Sequence, residues 1–369
     1  MRAALLKEFN KPLSIEEVPD PKIGRGEVLL QVQACGICRS DWHLWRGDPS
    51  LVAYMEWSGG KLPIIPGHEV AGRVVEVGEG VTNVAPGDVV VAPASSTGDN
   101  RSCRYCREGN SNICEHLWIP GFGTHGCYAQ YMKVPAGSVA DLVKVPPGVA
   151  PEYAAITGCG FGTAWNALVV KGGIKPGETL LVTGLGGMGL SAAMIAMSSG
   201  AKVVAVDVNP AAVEKGKKIG ITAYSYSGDP KELTKLVNEE VVKTYGMVDA
   251  VFDSTGNPDV LSAVLPAVRP QGRVLLAGLM VKGKETWPLA SDLVVARELT
   301  IQGVLMLPSQ RYDGIFRLLS EGRINLEQVI YRVFHLDSHH IRDGTHLTRR
   351  KQHGYMNSLV VNLDVSNQA

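Results

Sequence analysis

Short apolar runs alternate with polar turns through the first 150 residues of the chain. Residues 28–32, 72–78 and 88–91 are rich in β-branched side chains, and Gly or Pro residues separate them. Short strands at even spacing are typical of antiparallel sandwiches and barrels. This pattern predicts a β-rich domain, which we expect to be a partly closed barrel.

From Thr179 onward the pattern changes to apolar strands that alternate with helical stretches. The predicted strands are residues 179–183, 202–206, 248–252, 273–277 and 299–302. The helical stretches between them include residues 190–199, 210–219 and 230–245. This alternation favours a parallel, doubly wound α/β sheet. The segment after Gly303 returns to mixed character.

An uncharged, fairly apolar run at residues 180–197 is long enough to raise the question of a membrane span. It contains four glycines, so we interpret it as a strand, a glycine turn and a helix. The N-terminus has no apolar segment followed by a cleavage site. We therefore predict a cytoplasmic protein whose seven cysteines act as ligands or thiols rather than as disulfides.

Composition narrows the class of protein further. The chain has 369 residues, of which 45% are apolar, which is enough for two domains with their own cores. The 36 basic and 36 acidic residues balance to a formal net charge of zero. Since no basic field is available to hold nucleic acid, we expect a small molecule as the partner and neither nucleic acid nor membrane.

The segment from Cys38 to His43 places a thiol, a hydroxyl, a carboxylate and an imidazole within six residues. The tetrapeptide Pro66-Gly67-His68-Glu69 follows shortly afterwards. Thiolate and imidazole are ligands that zinc selects. The Ser40 hydroxyl and the His43 imidazole are suited to carrying a proton away, so the pattern indicates a metal site used in catalysis.

Two other interpretations of these residues stay open at this point. Cys35 and Cys38 form a C-x-x-C pair that could be redox-active, although the surrounding strand–helix pattern of such pairs is absent. A single cysteine or histidine can also be an inert part of a core. The metal interpretation therefore requires a third ligand elsewhere in the chain.

The sequence Gly184-Leu185-Gly186-Gly187-Met188-Gly189 fits the G-x-G-x-x-G pattern between a predicted strand and a predicted helix. In this pattern Gly184 allows the tight turn, Gly186 lets a pyrophosphate approach the backbone, and Gly189 lets helix and strand pack closely. Asp207 ends the next strand, 23 residues after Gly184. An acidic residue there binds ribose hydroxyls and repels a 2′-phosphate, so NAD is preferred over NADP.

Together these motifs resemble the zinc-dependent alcohol dehydrogenases of the medium-chain dehydrogenase/reductase superfamily. The resemblance rests on the Cys38–His43 run, on Gly67-His68-Glu69, on Cys159-Gly160-Phe161-Gly162-Thr163 and on the glycine turn with Asp207. It covers nearly the whole chain and weakens after Val333. It implies an α/β protein with a GroES-like β-barrel catalytic domain and a Rossmann doubly wound parallel sheet.

The implied domains are a GroES-like catalytic domain at residues 1–160, a Rossmann NAD-binding domain at 161–303 and a C-terminal return at 304–369 that completes the first domain. Family habit also implies a homodimer or a homotetramer.

The resemblance supplies the missing ligand. Cys38, His68 and Cys159 would hold a catalytic zinc ion and leave one position open, as expected of catalytic sites. Glu69 resembles a carboxylate that approaches the metal transiently. Asp41 resembles the carboxylate that orients the histidine ligand. A solvated surface charge is the alternative for both acids.

The resemblance also assigns roles in the reaction. The alcohol gives its proton to Ser40, which passes it through the cofactor ribose to His43, and a hydride goes to the nicotinamide. Arg39 would contact the pyrophosphate, as would the glycine turn. Thr163 and Met188 would pack against the nicotinamide ring, with plain core packing as the alternative for Met188.

A second set of cysteines departs from the family pattern. Cys103, Cys106 and Cys114 match three positions of a four-cysteine lobe, but Asn100 stands at the first position. The neighbouring Asp99 could supply an oxygen instead. Three interpretations of this lobe stay open: a structural zinc site, a metal-free loop and, with the least support, a nucleic-acid zinc ribbon.

The C-terminal segment departs as well. It holds His335, His339, His340, His346 and His353. The pair His339-His340 resembles metal ligands, but we expect it on an exposed helix or turn because no thiolate or carboxylate partner has helical spacing. The chain around Gly354 does not match the family's cofactor-binding element.

Primary, secondary, aromatic and cyclic alcohols, and an acyl-CoA-linked hydroxyl, stay open as substrates. Residues 50–60 look like a long loop that could reshape the pocket. A zinc-independent quinone or enoyl reductase of the same superfamily and a non-catalytic dinucleotide-binding protein remain as alternatives. The zinc ligand set disfavours the former, and Ser40 with His43 disfavours the latter.

Overall fold

The protein was studied as a computed structural model that describes residues 1–279, 286–330, 333–336 and 359–362. Its chain divides into two compact units. The first unit comprises Met1–Gly162 and the described residues from Met306 to 336 and 359 to 362. The second comprises the described residues of Thr163–Leu305.

The strands are β1 Arg2–Leu5, β2 Ser14–Glu17, β3 Val28–Ile37, β4 Glu69–Val77, β5 Val89–Ala92, β6 Ser96–Thr97, β7 Leu117–Trp118, β8 Tyr131–Val134, β9 Val143–Lys144, β10 Thr179–Thr183, β11 Lys202–Asp207, β12 Thr222–Ser225, β13 Val248–Asp253, β14 Val268–Leu276, β15 Thr300–Gly303, β16 Val333–Phe334 and β17 Leu359–Asn362.

The α-helices are α1 Arg39–Trp45, α2 Pro49–Trp57, α3 Arg104–Arg107, α4 Pro151–Thr157, α5 Gly160–Trp165, α6 Gly187–Ser198, α7 Pro210–Lys218, α8 Pro230–Leu236, α9 Lys243–Tyr245, α10 Pro258–Val264, α11 Ser291–Ala296 and α12 Asp313–Ser320. The π-helical segments are Asn166–Lys171 and Val237–Val242, and the 3-10 turns are Ser111–Ile113, Ala136–Asp141, Leu265–Ala267, Ser309–Arg311 and Leu326–Gln328.

The first unit is built on an antiparallel sheet centred on β3, whose first six residues alternate between buried and half-buried positions, as a strand with one covered face does. The strand order is β16-β17-β3-β4-β5-β9, and β8 pairs with the first half of β3. Strand β17 pairs with the second half of β3, so the two halves of β3 have different partners. This barrel-like sheet, with the C-terminal β17 added to it, is the GroES-like part of the predicted fold class, which is confirmed.

The second unit contains a six-stranded sheet in the order β12-β11-β10-β13-β14-β15, in which every pair is parallel. All five residues of β10 are buried, as expected of a strand covered on both faces. The strand order reverses between β10 and β13, which is where doubly wound sheets bind their ligands. The predicted Rossmann arrangement is therefore confirmed.

The apolar run at residues 180–197 forms most of β10, a glycine turn and most of α6, as predicted. Within the part of the chain that the structure describes, no helix combines the length and the apolar character that crossing a bilayer requires.

Two local predictions were wrong. Residues 50–60 were expected to form a long loop, but residues 49–57 form helix α2. Pro49 occupies the first helical position, and Leu51 and Met55 bury one face at a spacing of four. Strand β12 was not predicted, because Thr222–Ser225 is short and only Ala223 of its residues is buried.

The prediction that every cysteine is a ligand or a free thiol was also wrong. Cys35 and Cys127 form a disulfide, with Cα atoms 5.9 Å apart across 92 residues of sequence. Cys35 lies on β3 opposite Val70, and the Cys127 N–H donates to the Gly67 carbonyl just before β4. Both cysteines therefore flank the start of β4, a meeting that the sequence separation conceals.

The C-terminal histidines lie mostly outside the described residues. His335 is exposed. His339, His340, His346, His353 and the region around Gly354 lie outside the described residues, so the predictions made for them stay predictions.

Candidate active site

The predicted zinc ligands come from three separate parts of the first unit, which the fold brings together. Cys38 follows β3 and caps the N-terminus of α1, His68 immediately precedes β4, and Cys159 lies between α4 and α5. The ligating atoms of these residues and of Glu69 all lie within 4.8 Å of one another. The Cys38 and Cys159 sulfurs are 3.9 Å apart. The structure thus assembles a donor set of two sulfurs and one imidazole.

Asp41 orients this cluster from the first turn of α1. Its Oδ2 accepts the backbone N–H of Cys38 at 2.8 Å, which is half of a capping box. Its Oδ1 accepts a hydrogen bond from Nδ1 of His68 at 3.0 Å. Both side chains are almost fully buried. The Nε2 atom of His68 is therefore left to face the cysteines, as a metal ligand requires.

The charges of the cluster are strongly coupled. The hydrogen bond from Cys159 lowers the pKa of Cys38 well below its usual range, and the same bond together with burial raises the pKa of Cys159. Burial opposes ionisation of His68, yet Asp41 raises its pKa well above the usual value. The Ser40 hydroxyl donates to the Cys38 sulfur at 3.1 Å and lies 3.5 Å from His68 Nε2.

Glu69 is the least satisfied group of the site. It is 1% exposed, its Oε1 accepts the Gly160 N–H at 3.4 Å, and its Oε2 has no hydrogen-bond partner among the described residues. Burial, followed by the negative charge of Cys38, raises the pKa of Glu69 well above its usual value. A buried oxygen without a donor is costly unless a cation or another ligand approaches it.

Gly36 makes room for this carboxylate. It pairs directly with Glu69 across β3 and β4, and a Cβ at position 36 would lie 1.9 Å from Glu69 Oε2. The sequence offered a glycine beside two cysteines as the only signal of this contact.

His43 forms hydrogen bonds with two residues that are not part of the cluster. Its Nδ1 bonds to Oδ2 of the buried Asp48 at 2.5 Å, and its Nε2 accepts from Arg39 Nε at 3.1 Å. Sequence reasoning found His43 and Arg39 but missed Asp48, which lies in the turn between α1 and α2. The pair of bonds fixes the tautomer with the proton on Nδ1.

Aromatic side chains lie beside His68. The Phe122 ring is 5.5 Å from the His68 ring, and the Tyr54 ring is 6.1 Å from Phe122. Burial and the charge of Cys159 raise the pKa of Tyr54 to about 12. Trp57 stacks on Tyr54 and is 62% exposed. Phe122 lies in no motif that would have identified it from the sequence.

A second cluster in the same unit joins Asp99 to Cys103, Cys106 and Cys114, whose ligating atoms also lie within 4.8 Å of one another. The Cys103 and Cys114 sulfurs are 3.7 Å apart, and Cys114 Sγ lies 3.4 Å from Asp99 Oδ1. Asn100 is exposed and adopts a left-handed φ of 56°. The turn at Asn100 thus follows the residue whose carboxylate faces the cysteines.

The Asp99 carboxylate is well supplied with donors. It accepts from the Thr97 hydroxyl at 2.6 Å and from the backbone N–H groups of Ser102 and Cys103 at 3.2 and 3.0 Å. Burial opposes its ionisation, but the hydrogen bonds from Thr97 and Ser102 hold the pKa of Asp99 well below its usual range. Burial raises the pKa of Cys106.

The glycine turn of the second unit has the geometry that its sequence predicts. Gly184 has a left-handed φ of 87°, and a Cβ at Gly189 would lie 1.8 Å from the Gly184 carbonyl oxygen. A Cβ at Gly186 would meet no atom within 4 Å. The fold of the protein therefore requires glycine at positions 184 and 189. At position 186 the protein leaves room for a side chain, so only a bound ligand would require glycine there.

The remaining residues of this turn lie as follows. Gly187 begins α6, Met188 is half-buried on it, and Thr163 is buried in α5. Asp207 Oδ2 accepts the Leu185 N–H at 2.6 Å and its Oδ1 accepts the Asn209 N–H at 2.8 Å. Burial raises the pKa of Asp207.

A buried cysteine–histidine cluster on an antiparallel barrel, combined with a glycine turn on a parallel six-stranded sheet, defines a class of oxidoreductases. The family model described as alcohol dehydrogenase GroES-like domain matches residues 24–147, and the model described as zinc-binding dehydrogenase matches residues 187–321. The chain therefore belongs to the zinc-type alcohol dehydrogenases of the medium-chain dehydrogenase/reductase superfamily.

Individual relatives agree. An alcohol dehydrogenase of Geobacillus stearothermophilus is 36% identical over 88% of this chain and 90% of the relative. An NAD-dependent alcohol dehydrogenase of Saccharolobus solfataricus is 35% identical over the same shares of the two chains. The crystal structure of an alcohol dehydrogenase from Thermus sp. ATN1 superposes with a TM-score of 0.83, 29% identity and coverage of 98% of this chain and 100% of that one. The protein is an oxidoreductase that acts on alcohols.

Proposed function

We propose that the protein interconverts an alcohol and its aldehyde or ketone, using zinc at Cys38, His68 and Cys159 and NAD as the hydride carrier. The observation that carries this proposal is the buried cluster itself, in which two sulfurs and an imidazole converge beside a carboxylate oxygen that has no partner among the described residues. Three protein ligands with one open position are typical of catalytic zinc.

The donor set fits this metal. Sulfur and imidazole nitrogen are the ligands zinc prefers, and Asp41 holds His68 with Nε2 directed to the cysteines. When bound, zinc supplies a Lewis acid that polarises the substrate oxygen. A cation there would also offset the charges that the thiols and Glu69 develop when ionised.

The chain's own residues then handle the proton. The Ser40 hydroxyl lies beside Cys38 and His68 and is placed to accept a proton from a substrate hydroxyl. His43, held by Asp48 and Arg39, is the acceptor further along α1. A role for Arg39 at the pyrophosphate remains part of the proposal.

The cofactor assignment rests on the second unit. The N-terminus of α6 presents backbone N–H groups to an anion, and the open space at Gly186 suits a phosphate. Asp207 closes the turn through Leu185 and disfavours a 2′-phosphate, so NAD is the expected carrier. Gly187, Met188 and Thr163 complete the proposed contacts.

Two glycine variants test the dinucleotide site with a built-in control. Gly186→Ala should fold as the wild type does and should weaken NAD binding about tenfold or more, because only the ligand would meet the new methyl group. Gly189→Ala should lose thermal stability instead, since its Cβ would collide with the Gly184 carbonyl. Calorimetric NAD titration of Gly186→Ala at wild-type affinity would contradict the proposal.

We also propose zinc at the second cluster, with Asp99 as the oxygen ligand in place of Asn100. Three thiols and one carboxylate make a closed, four-ligand site of the structural kind. Metal analysis of the purified protein should then give two zinc ions per chain, against one if this cluster is empty.

Steady-state assays test the proposed reaction. Primary and secondary alcohols and hydroxy amino acids, each tried with NAD and with NADP, are a suitable panel, because an L-threonine 3-dehydrogenase of Pyrococcus horikoshii is also 35% identical over 85% of this chain and 86% of the relative. Full activity after a chelator has removed zinc would favour a zinc-independent reductase. NAD binding without turnover of any alcohol would favour a non-catalytic protein.

The proposed assembly is a homodimer or a homotetramer. Sedimentation of the purified protein tests it, and a monomer at micromolar concentration would contradict it.

A further inference from the structure

Tyr128 contacts the carboxylate that orients His68, and no motif identified it. It is 1% exposed, and its hydroxyl donates to Asp41 Oδ2 at 3.2 Å. The same oxygen accepts the Cys38 N–H, and the other carboxylate oxygen holds His68. One buried carboxylate thus joins the tyrosine hydroxyl to the backbone of one proposed ligand and the imidazole of another.

We propose that Tyr128 is a positioning residue of the metal centre, which acts through Asp41 to fix the orientation and the basicity of His68. This inference rests on the proposed zinc site. A carboxylate that orients a ligating imidazole is itself held by further hydrogen bonds, and such outer partners tune metal affinity. The role of Tyr128 is to restrict the carboxylate to the rotamer in which Oδ1 faces His68.

The charge of Asp41 makes this hydroxyl important. Asp41 is 2% exposed, and among the described residues no Lys or Arg forms an ion pair with it. A buried carboxylate without a Lys or Arg partner depends on its hydrogen-bond donors, and a bond to an ionised acceptor is roughly twice as strong as a neutral one. Tyr128 supplies the only hydroxyl that the described part of the chain directs at Asp41.

The backbone of Tyr128 is anchored on the approach to His68. Its N–H donates to the Pro66 carbonyl at 3.0 Å, and its own carbonyl accepts from Ala4 at 2.8 Å. Its ring packs so closely on Gly67 that a Cβ there would lie 2.5 Å from Tyr128 Cδ1. The tyrosine therefore contacts both the chain that carries His68 and the carboxylate that orients it.

Tyr128→Phe removes only the hydroxyl and keeps the ring that packs on Gly67. Zinc affinity is measured by competition with a chromophoric chelator, and the binding step that disappears in Cys38→Ser identifies this site. We expect Tyr128→Phe to weaken that step about tenfold, in the range for outer partners of metal ligands. Tyr245→Phe is the matched control, because it loses a hydroxyl bond to Thr222 in the second unit.

A double-mutant cycle with Asp41→Asn distinguishes this role from packing. In that background the single amide oxygen cannot accept from both His68 Nδ1 and the Tyr128 hydroxyl, so the loss caused by Tyr128→Phe should shrink to about threefold or less. Unchanged zinc affinity in Tyr128→Phe, with only a lower melting temperature, would overturn the inference. An equal tenfold loss in both backgrounds would overturn it too, since Tyr128 would then not act through Asp41.

The experiment also separates this inference from the proposed function. If the wild-type protein has no zinc-binding step that depends on Cys38, the proposed function fails and the inference falls with it. If that step is present and Tyr128→Phe binds zinc as the wild type does, only the inference fails.

Discussion

The two cysteine clusters of the first unit use similar side chains but treat their carboxylates in opposite ways. Asp99 accepts hydrogen bonds from a hydroxyl and from two backbone N–H groups, whereas Glu69 Oε2 has no donor among the described residues. A site whose groups are all satisfied is suited to holding a metal permanently. A site with an unsatisfied oxygen is suited to reaction. Ligand identity alone would not distinguish the two.

The largest expected difference comes from removing one thiol in each cluster. Cys38→Ser should lower kcat/KM by on the order of 10³-fold, because metal polarisation of the substrate oxygen contributes several kcal/mol to the transition state. Cys106→Ser should lower the melting temperature while activity per folded molecule stays within about twofold, because structural zinc stabilises the fold. Alcohol assays and thermal melts of both variants make the comparison. Equal loss of activity in the two would break it.

The hydroxyl beside each cluster gives the next largest effect. Ser40→Ala should lower kcat by roughly 10²-fold, the scale of a lost proton acceptor, with little change in melting temperature. Thr97→Val removes the hydroxyl that donates to Asp99 and should lower stability by about 1–3 kcal/mol with kcat unchanged. Thermal melts run beside kinetic assays provide the measurement. A stable Ser40→Ala enzyme with normal kcat would remove Ser40 from the mechanism.

The carboxylates offer a smaller and more specific contrast. Glu69→Gln should lower kcat about tenfold or less. The metal-free variant should be at least as stable as the wild type, because glutamine is neutral at every pH and removes the cost of burying an ionisable side chain. Asp99→Asn should weaken zinc binding at its own cluster and destabilise the lobe. Metal analysis after dialysis and denaturant unfolding of the zinc-free protein report these effects. Retention of both zinc ions by Asp99→Asn would contradict the role of Asp99.

The smallest effect concerns the proposed proton path through His43. Asp48→Asn keeps a side chain of the same shape but removes the charge that holds His43. We expect kcat to fall roughly threefold to tenfold with KM nearly unchanged, since only the proton path is altered. Asp88→Asn, at an exposed ion pair with Lys144, is the control and should change neither constant. A normal kcat in Asp48→Asn would place His43 outside the reaction.

Much of this architecture could be predicted from sequence because its signals are local. The strand–glycine turn–helix unit is written in consecutive residues, and so is the run from Cys38 to His43. The parallel sheet followed from the alternation of apolar strands and helices. Helix α2 was missed because its two buried residues, Leu51 and Met55, are too few to produce a visible period.

What could not be predicted depends on contacts between distant parts of the chain. Tyr128 reaches Asp41 across 87 residues, and Cys35 meets Cys127 across 92. The sequence around each of these residues contains no signal that identifies its partner. The choice of Asp99 over Asn100 had a different cause, since it depends on the left-handed turn at Asn100 and not on spacing.

The missing side chain at Gly36 has an evolutionary consequence. Because the Glu69 carboxylate occupies the space where a Cβ would stand, position 36 cannot gain a side chain while Glu69 keeps this place. A descendant that acquires even an alanine at position 36 must first shorten or redirect its acid. We expect homologous sequences to show that positions 36 and 69 change together, with the change at position 69 coming first.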